Sequence, residues 1–249
     1  MQVWLVTATY NEADNLPELL RRIDALPEPP GVCIVDDGSP DGTGEIADRW
    51  AAAREKALVI HRPGKLGYAS AHREGMRAVL DRGADVVVTL DADLSHEPER
   101  IPTMVDALEK ADVVVGSRYT AGGATRNWSL ARIVLSRLGG GVVTRLLTGL
   151  RQADCTSGFR AYRAGILERA DPWSTGADGY GFLVELLFRC QRVGARIAEI
   201  PIVFVDRRAG ASKLSKRIIF ESMVLCFRLL GERFNKAPAS YAPPKRDEP

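Results

Sequence analysis

The sequence predicts an α/β protein: a mainly parallel sheet flanked by helices, followed by a C-terminal amphipathic helix. Three observations carry this. Short β-branched or apolar runs alternate with stretches whose apolar residues recur at helical spacing. The alternation repeats through the first half of the chain in strand–helix order, as in successive βαβ units. Polar clusters follow the ends of the runs, and open α/β sheets bind ligands beyond the carboxyl ends of their strands.

The first run, Val3–Thr9, is β-branched and apolar, and Leu16, Leu19, Leu20, Ile23 and Leu26 then mark one face of a helix over 15–26. Residues 32–35 predict the second strand and 44–53 the second helix. Ala57–His61 and 69–82 repeat the pair. Residues 86–90 are nearly all β-branched, the mark of a strand buried on both faces. Residues 101–110 read as helix and 113–116 as strand. Far downstream, 215–234 is strongly apolar but broken by Lys216, Arg217, Glu221, Arg228, Glu232 and Arg233, which predicts an amphipathic helix. The last fifteen residues hold four prolines and little apolar material and read as a disordered tail. The expected division is 1–214 as the main domain, 215–234 as the helix and 235–249 as the tail.

The chain has 249 residues, 45% hydrophobic and 27% charged, the balance of a soluble globular protein. Lys+Arg at 34 against Asp+Glu at 32 leaves +2, so bulk charge gives no reason to expect a nucleic-acid partner. The longest uncharged stretch, 1–11, is too short to cross a bilayer. No basic, apolar, then small-residue pattern opens the chain, so no signal peptide is expected. Cys33, Cys155, Cys190 and Cys226 are far apart, which predicts reduced, buried thiols in a cytoplasmic protein rather than disulfides or a zinc site.

Asp91 and Asp93 carry the sharpest chemical signal. They sit two apart at the mouth of a strand, and two carboxylates so close repel unless a cation shares them. Mg²⁺ or Mn²⁺ is held by one or two carboxylates together with substrate phosphates, so the pair points to a metal–diphosphate site; the competing reading is a solvated loop. Asp36-Asp37 also ends a strand, beside Ser39 and a Pro-Asp-Gly turn. Asp37 suits a nucleobase or ribose, and equally a βα turn capped by Asp41 or Thr43. Gly42–Ala47 mimics a dinucleotide fingerprint, but it follows the second strand and no acidic residue ends the next one. There is no Walker A sequence and no GxSxG elbow. Arg118 follows a strand, Arg132 lies fourteen residues on, and Arg207, Arg208 and Lys213 surround Gly210. The arginine fork binds two phosphate oxygens at once, and the glycine permits a tight basic loop that closes over a ligand or simply faces solvent. His96 lines the same region, whereas His61 and His72 read as structural or surface residues. Nothing resembles a Ser/His/Asp arrangement.

Taken in order, Thr9-Tyr10-Asn11-Glu12, Val35-Asp-Asp-Gly-Ser-Pro-Asp-Gly-Thr43, Gly64-Lys65-Leu66-Gly67 and Asp91-Ala-Asp-Leu-Ser-His96 resemble the dolichol-phosphate (polyprenyl-phosphate) mannosyltransferases. These are inverting glycosyltransferases of family 2 with the GT-A fold. Gly116-Ser-Arg-Tyr119, the stretch from Asp154 to Arg160, Glu199-Ile-Pro201 and the run from Phe204 to Lys213 extend the likeness. The resemblance implies transfer of mannose from GDP-mannose to a polyprenyl monophosphate. By matched position, Ala8, Tyr10, Glu12, Val35 and Asp37 would hold the guanosine. Asp91, Ala92 and Asp93 would bind the ribose–diphosphate and a Mg²⁺ or Mn²⁺ ion, with Ser95 in or near its shell. Arg207 and Lys213 would hold the donor diphosphate, Arg118 the phosphate at the donor–acceptor junction, and Arg132 and Ser136 the acceptor phosphate.

The chain departs from the family at a few places. Ala8 stands where proline is usual, Ala69 replaces a glycine, Leu183 a glutamine, and Gly139-Gly-Gly141 lies where an asparagine is found. None removes an implied metal or phosphate ligand, but the last two bear on sugar or acceptor choice. A UDP-glucose-dependent polyprenyl-phosphate glycosyltransferase is therefore the alternative. A sugar-nucleotide pyrophosphorylase would carry a Gly-rich loop where Thr9–Glu12 stands, and a non-catalytic nucleotide-binding module would not need both the aspartate pair and the distal cations. Other family members end in transmembrane helices. This sequence suits a form peripheral on the cytoplasmic face of the membrane through residues 215–234 and the arginines near Arg132, or one that borrows a membrane-protein partner.

Overall fold

A computed structural model describes residues 1–206 and 216–235. Its centre is a seven-stranded sheet. The strands are β1 (Val3–Thr9), β2 (Gly31–Asp36), β3 (Ala57–His61), β4 (Val86–Thr89), β5 (Val113–Ser117), β7 (Arg160–Arg163) and β8 (Ile197–Pro201); β6 (Ala124–Arg126) and β9 (Val203–Val205) pair separately. The order across the main sheet is β3-β2-β1-β4-β7-β5-β8. All neighbours are parallel except β7, which runs antiparallel to both β4 and β5. The mainly parallel sheet is thus as expected, with one reversed strand that the sequence reading left unassigned.

The helices are α1 (Leu16–Asp24), α2 (Thr43–Ala51), α3 (Tyr68–Leu80), α4 (Ile101–Ala107), α5 (Leu130–Leu135), α6 (Thr144–Thr148), α7 (Ala164–Ala170), α8 (Gly179–Arg192) and α9 (Lys216–Arg233). A π-helical segment, Ser136–Val143, joins α5 to α6 into one rod over 130–148. The sequence had predicted helices over 15–26 and 101–110; α1 and α4 are shorter because their last turns tighten into single-turn bonds.

Strand alternation builds two cores. On one face Val6, Val35, Val87, Val113 and Val115 pack with Met76 and Val79 of α3 and Phe182 and Leu186 of α8. On the other, Leu5, Ile34, Val88 and Val114 pack with Leu16, Leu19, Leu20 and Ile23 of α1 and Met104 of α4. Adjacent residues of one strand serve opposite layers, so β2 and β4 are buried throughout and read as unbroken apolar runs. The chain steps from β1 outward to β2 and β3, then returns past β1 to β4. That reversal opens a crevice between the carboxyl ends of β1 and β4, the place where open α/β sheets receive ligands.

Candidate active site

The turns that follow β1 and β2 are locked to each other by their own polar groups. Thr9 Oγ1 donates to Asp36 Oδ1 at 2.9 Å, and the Ser39 N–H and hydroxyl donate to the same carboxylate at 2.9 and 2.6 Å. Glu12 N donates to Thr43 Oγ1 at 2.9 Å, and Asp41 takes hydrogen bonds from Ala13 N and from the Thr43 N–H and hydroxyl. Asp36 and Asp41 are therefore structural, and Asp41 ties the first turn to the entrance of α2. Asp37 has a different task. Its Oδ1 accepts from Arg62 Nη1 at 2.5 Å and its Oδ2 from Gly67 N at 3.0 Å, while Arg62 Nη2 donates to Ser70 Oγ at 2.6 Å. This buried pair sets the carboxylate at the edge of a cavity of about 690 Å³, a size typical of pockets for small-molecule ligands at roughly 300–1,000 Å³.

The cavity gathers most of the first-half residues singled out from the sequence. Ala8, Tyr10, Glu12, Asp37, Asp91, Ala92 and Asp93 all line it. Val35 is buried beneath it in the sheet. Asp91 receives the Tyr68 hydroxyl at 3.2 Å, and His96 Nε2 lies 3.5 Å from its other oxygen. Burial alone would raise the Asp91 carboxyl. The neighbouring His96, the more distant His72 and the Tyr68 hydroxyl outweigh it and hold the group well below the usual carboxylate range. His72 itself is pushed down by burial. His61 faces solvent beside Asp48, in line with its structural reading.

The donor set around the aspartates fits a hard divalent cation. Asp93 Oδ1 accepts from Ser95 N at 3.1 Å. Among the described residues the Ser95 hydroxyl and His96 Nδ1 are buried without a hydrogen-bond partner. Among the described residues no three His, Cys, Asp or Glu side chains stand at metal-ligand spacing. Such a site matches Mg²⁺ or Mn²⁺, which takes one or two carboxylates and completes its shell from phosphate oxygens and water, and it does not match zinc.

Arg118, Arg132 and Ser136 come together beside this cavity, outside its lining. Arg118 forks onto Asp154 through Nε and Nη2, both at 2.6 Å, and reaches Thr156 Oγ1 at 2.7 Å. Burial would raise the Asp154 carboxyl, but the Arg118 charge and hydrogen bonds hold it below its ordinary value. Arg132 lies 4.0 Å over the Trp128 ring and donates to Asp206 at 2.5 Å. Ser136 accepts from the Tyr119 hydroxyl at 2.6 Å. The Phe204 ring touches both His96 and Trp128, so this basic aromatic cluster abuts the Asp91–Asp93 turn. Arg207 and Lys213 lie outside the described residues.

Sequence reasoning missed three contributors. Lys65 lines the cavity with its ammonium 4.0 Å over the Tyr10 ring; it stood in a recognised motif but without a role. Gly158 backs Asp91: a Cβ there would fall 2.8 Å from Tyr68 Oη and 3.1 Å from Asp91 Oδ1. The third is α9, which adds Glu221, Ser222, Leu225 and Arg228 to the lining. Nothing in linear spacing brings that helix to the crevice. The cysteines are free and buried, and burial pushes Cys33, Cys155 and Cys190 up to about 12, so none is a nucleophile at neutral pH.

A switch-point crevice carrying an aspartate pair on a mainly parallel sheet defines an α/β fold of the GT-A class. Solved structures agree on the fold. Glucosyl-3-phosphoglycerate synthase from Mycobacterium tuberculosis, in complex with Mn²⁺, uridine-diphosphate and phosphoglyceric acid, superposes with a TM-score of 0.63 at 20% identity, covering 92% of this chain and 78% of that one. TarS 1-349 of S. aureus in complex with UDP-GlcNAc gives 0.64 at 16% identity, covering 95% and 72%. Residues 4–170 match glycosyl transferase family 2, and the chain belongs to that family. It is 45% identical over 225 residues to the undecaprenyl-phosphate mannosyltransferase of Micrococcus luteus, covering 90% of this chain and 92% of that protein. It is 40% identical over 221 residues to the polyprenol monophosphomannose synthase of Mycolicibacterium smegmatis, covering 88% and 83%.

Proposed function

We propose that this glycosyltransferase moves mannose from GDP-mannose to a polyprenyl monophosphate with inversion, giving β-linked polyprenyl phosphate mannose. The observation that carries the reading is the convergence of Tyr10, Glu12 and Asp37 with Asp91-Ala92-Asp93 on one switch-point cavity. The near full-length likeness to two proteins named for this transfer supports it.

In this reading Tyr10, Glu12 and Asp37 hold the guanosine, and the Arg62 pair keeps the Asp37 carboxylate aimed. Asp91, Asp93 and Ser95 hold the Mg²⁺ or Mn²⁺ ion, which when bound stabilises the charge that develops on the leaving diphosphate. Arg207 and Lys213 serve the same diphosphate. Arg132 and Ser136 receive the acceptor phosphate, and Asp154 orients Arg118 toward it. The nucleophile is an acceptor phosphate oxygen, which forms a bond to the sugar's anomeric carbon as the bond to GDP breaks. A phosphomonoester has a second pKa of about 6, so it is ionised at neutral pH and needs no strong base from the protein.

The acceptor keeps its tail in lipid, so the enzyme works at a membrane surface, in this reading the cytoplasmic face. No helix among the described residues is long and apolar enough to cross one. The rod over 130–148 instead exposes Leu130, Val134, Leu138, Val142 and Leu146, four residues apart, beside Arg132 and Ser136. In this reading 1–214 is the catalytic domain, and α9 adds a wall to its cavity through Glu221, Ser222, Leu225 and Arg228 and exposes Val224 and Phe227. The test is to incubate the protein with Mn²⁺, a short polyprenyl phosphate and either GDP-mannose or UDP-glucose. Mass spectrometry should find a mannosyl lipid from the first donor; a glucosyl lipid alone, or none, would overturn the reading.

A further inference from the structure

The segment from Gly176 to Asp178 and the first turn of α8 form one wall of the cavity, and α9 extends it. Exposed loops seldom hold a fixed line, because their backbone groups trade partners with water. This one is held from beneath by a single buried side chain. Glu185, in the second turn of α8, is 3% exposed. Its Oε2 accepts from Gly176 N at 3.2 Å and Ala177 N at 3.0 Å, and its Oε1 lies 3.3 Å from the same Gly176 N–H. Arg228 of α9 donates Nη2 to Oε2 at 2.7 Å, and Arg189 Nε stands 3.6 Å from Oε1. Arg228 reaches this position because residue 176 has no side chain: a Cβ there would sit 3.0 Å from Nη1. One carboxylate therefore joins the loop, α8 and α9.

We infer that Glu185 is a positioning residue that sets the cavity wall made by residues 176–178 and, through Arg228, by α9. The reason is chemical. Two backbone N–H groups and a guanidinium converge where only an acceptor with full negative charge satisfies them all. Glu185→Gln keeps the shape, but its NH₂ must face one of those donors and the charge that holds Arg228 is lost. Arg73 holds the two ends of the loop, donating to Thr175 O at 2.6 Å and standing 3.7 Å from the exposed Asp178 carboxylate, and leaves the Gly176 and Ala177 N–H groups to Glu185. The assignment of a catalytic consequence rests on the reading above, in which nucleotide and diphosphate bind the turns after β1, β2 and β4. The wall from 176 to 228 then faces the sugar and acceptor, and its task is to place them and exclude water.

Two measurements on the full chain test this, in Glu185→Gln and in Arg228→Met, which spares the buried carboxylate and keeps the fold if the first variant does not. Hydrogen exchange should speed at least tenfold in peptides covering 175–181 and 221–233 while β1 to β4 stay protected. Calorimetry with GDP and Mn²⁺ should give a Kd within threefold of wild type, while kcat for transfer falls at least tenfold and the ratio of GDP-mannose hydrolysis to transfer rises. Unchanged exchange at both segments in both variants overturns the inference. So does a loss of GDP affinity matching the loss of turnover, or an unaltered hydrolysis ratio. If wild-type protein transfers no mannose, the functional reading fails, and the exchange comparison still decides whether Glu185 holds the wall.

Discussion

Asp91 and Asp93 stand two apart in sequence and serve unequal roles in space. Asp91 is wedged between Tyr68, His96 and the open face of Gly158, so its orientation is imposed. Asp93 accepts from the Ser95 amide, and in the proposed reading it is a direct ligand of the cation. Asp93→Asn is expected to cut transfer about 100-fold, most severely at limiting Mn²⁺, with the far-ultraviolet circular dichroism of the folded protein intact. Full turnover at limiting Mn²⁺ would remove the metal assignment. Asp154 makes the matching statement for stability. Its folded-state carboxyl is depressed by Arg118, so the pair stabilises the fold at neutral pH, and that contribution drains as pH falls below the ordinary aspartate value and through the depressed one. Removing one partner of a buried pair costs about 3–5 kcal/mol. Urea unfolding of Asp154→Asn should show a deficit of that order at pH 7 and a smaller one at pH 3. Asp91 was legible as a chemistry-bearing position in a linear reading, whereas Asp154 stood only within a stretch of family likeness; the contacts with Gly158 and Arg118 were legible for neither, because those residues reach them across the sheet.

At the scale of elements, the β7 strand and the turn before it decide the metal end of the cavity. Arg160 is fully buried and donates to Ser157 O, Leu183 O and Cys155 O, which freezes the turn that presents Gly158 to Asp91. A methyl group at 158 pushes directly on the Asp91 carboxylate. Gly158→Ala should therefore weaken Mn²⁺-dependent GDP binding and lower transfer by about 10- to 100-fold, since a displacement near 1 Å costs that much; titration of GDP binding against Mn²⁺ reads it. The βα units of the first half were predictable because each carries its own periodicity and turn chemistry. β7 was not: four residues, two of them arginines, show no strand pattern until neighbours on both sides supply the ladder. The rod over 130–148 escaped for a related reason. Three consecutive glycines lower its helix propensity, and its outward leucines break the usual inward stripe.

For the whole molecule, the proposed membrane docking would use the exposed apolar residues of the rod together with Val224 and Phe227 of α9. Flotation with anionic vesicles should carry the protein up the gradient, and salt should weaken the binding. Each basic residue near the surface contributes about 1 kcal/mol and each buried leucine about 1.5–3 kcal/mol. Leu138→Glu with Leu146→Glu is then expected to lower vesicle binding by more than tenfold while GDP binding in solution stays unchanged. Equal flotation of this variant and wild type would place the membrane contact elsewhere.

The sequence by itself determined the fold class, the strand-end polar clusters and the family resemblance. Those signals are local: a period of apolar residues, a turn motif, two carboxylates at fixed spacing. Only the tertiary structure decided which candidates share a cavity. It put Tyr10, Glu12, Asp37, Asp91 and Asp93 on one crevice, set Arg118 and Arg132 beside it in an aromatic cluster, and brought α9 and Glu185 in to complete the wall. The physical reason is that a ligand site is assembled at a switch point from the ends of strands distant in the chain. Its geometry depends on sheet order and on long-range pairs such as Glu185–Arg228, and neither is written in the spacing of nearby residues.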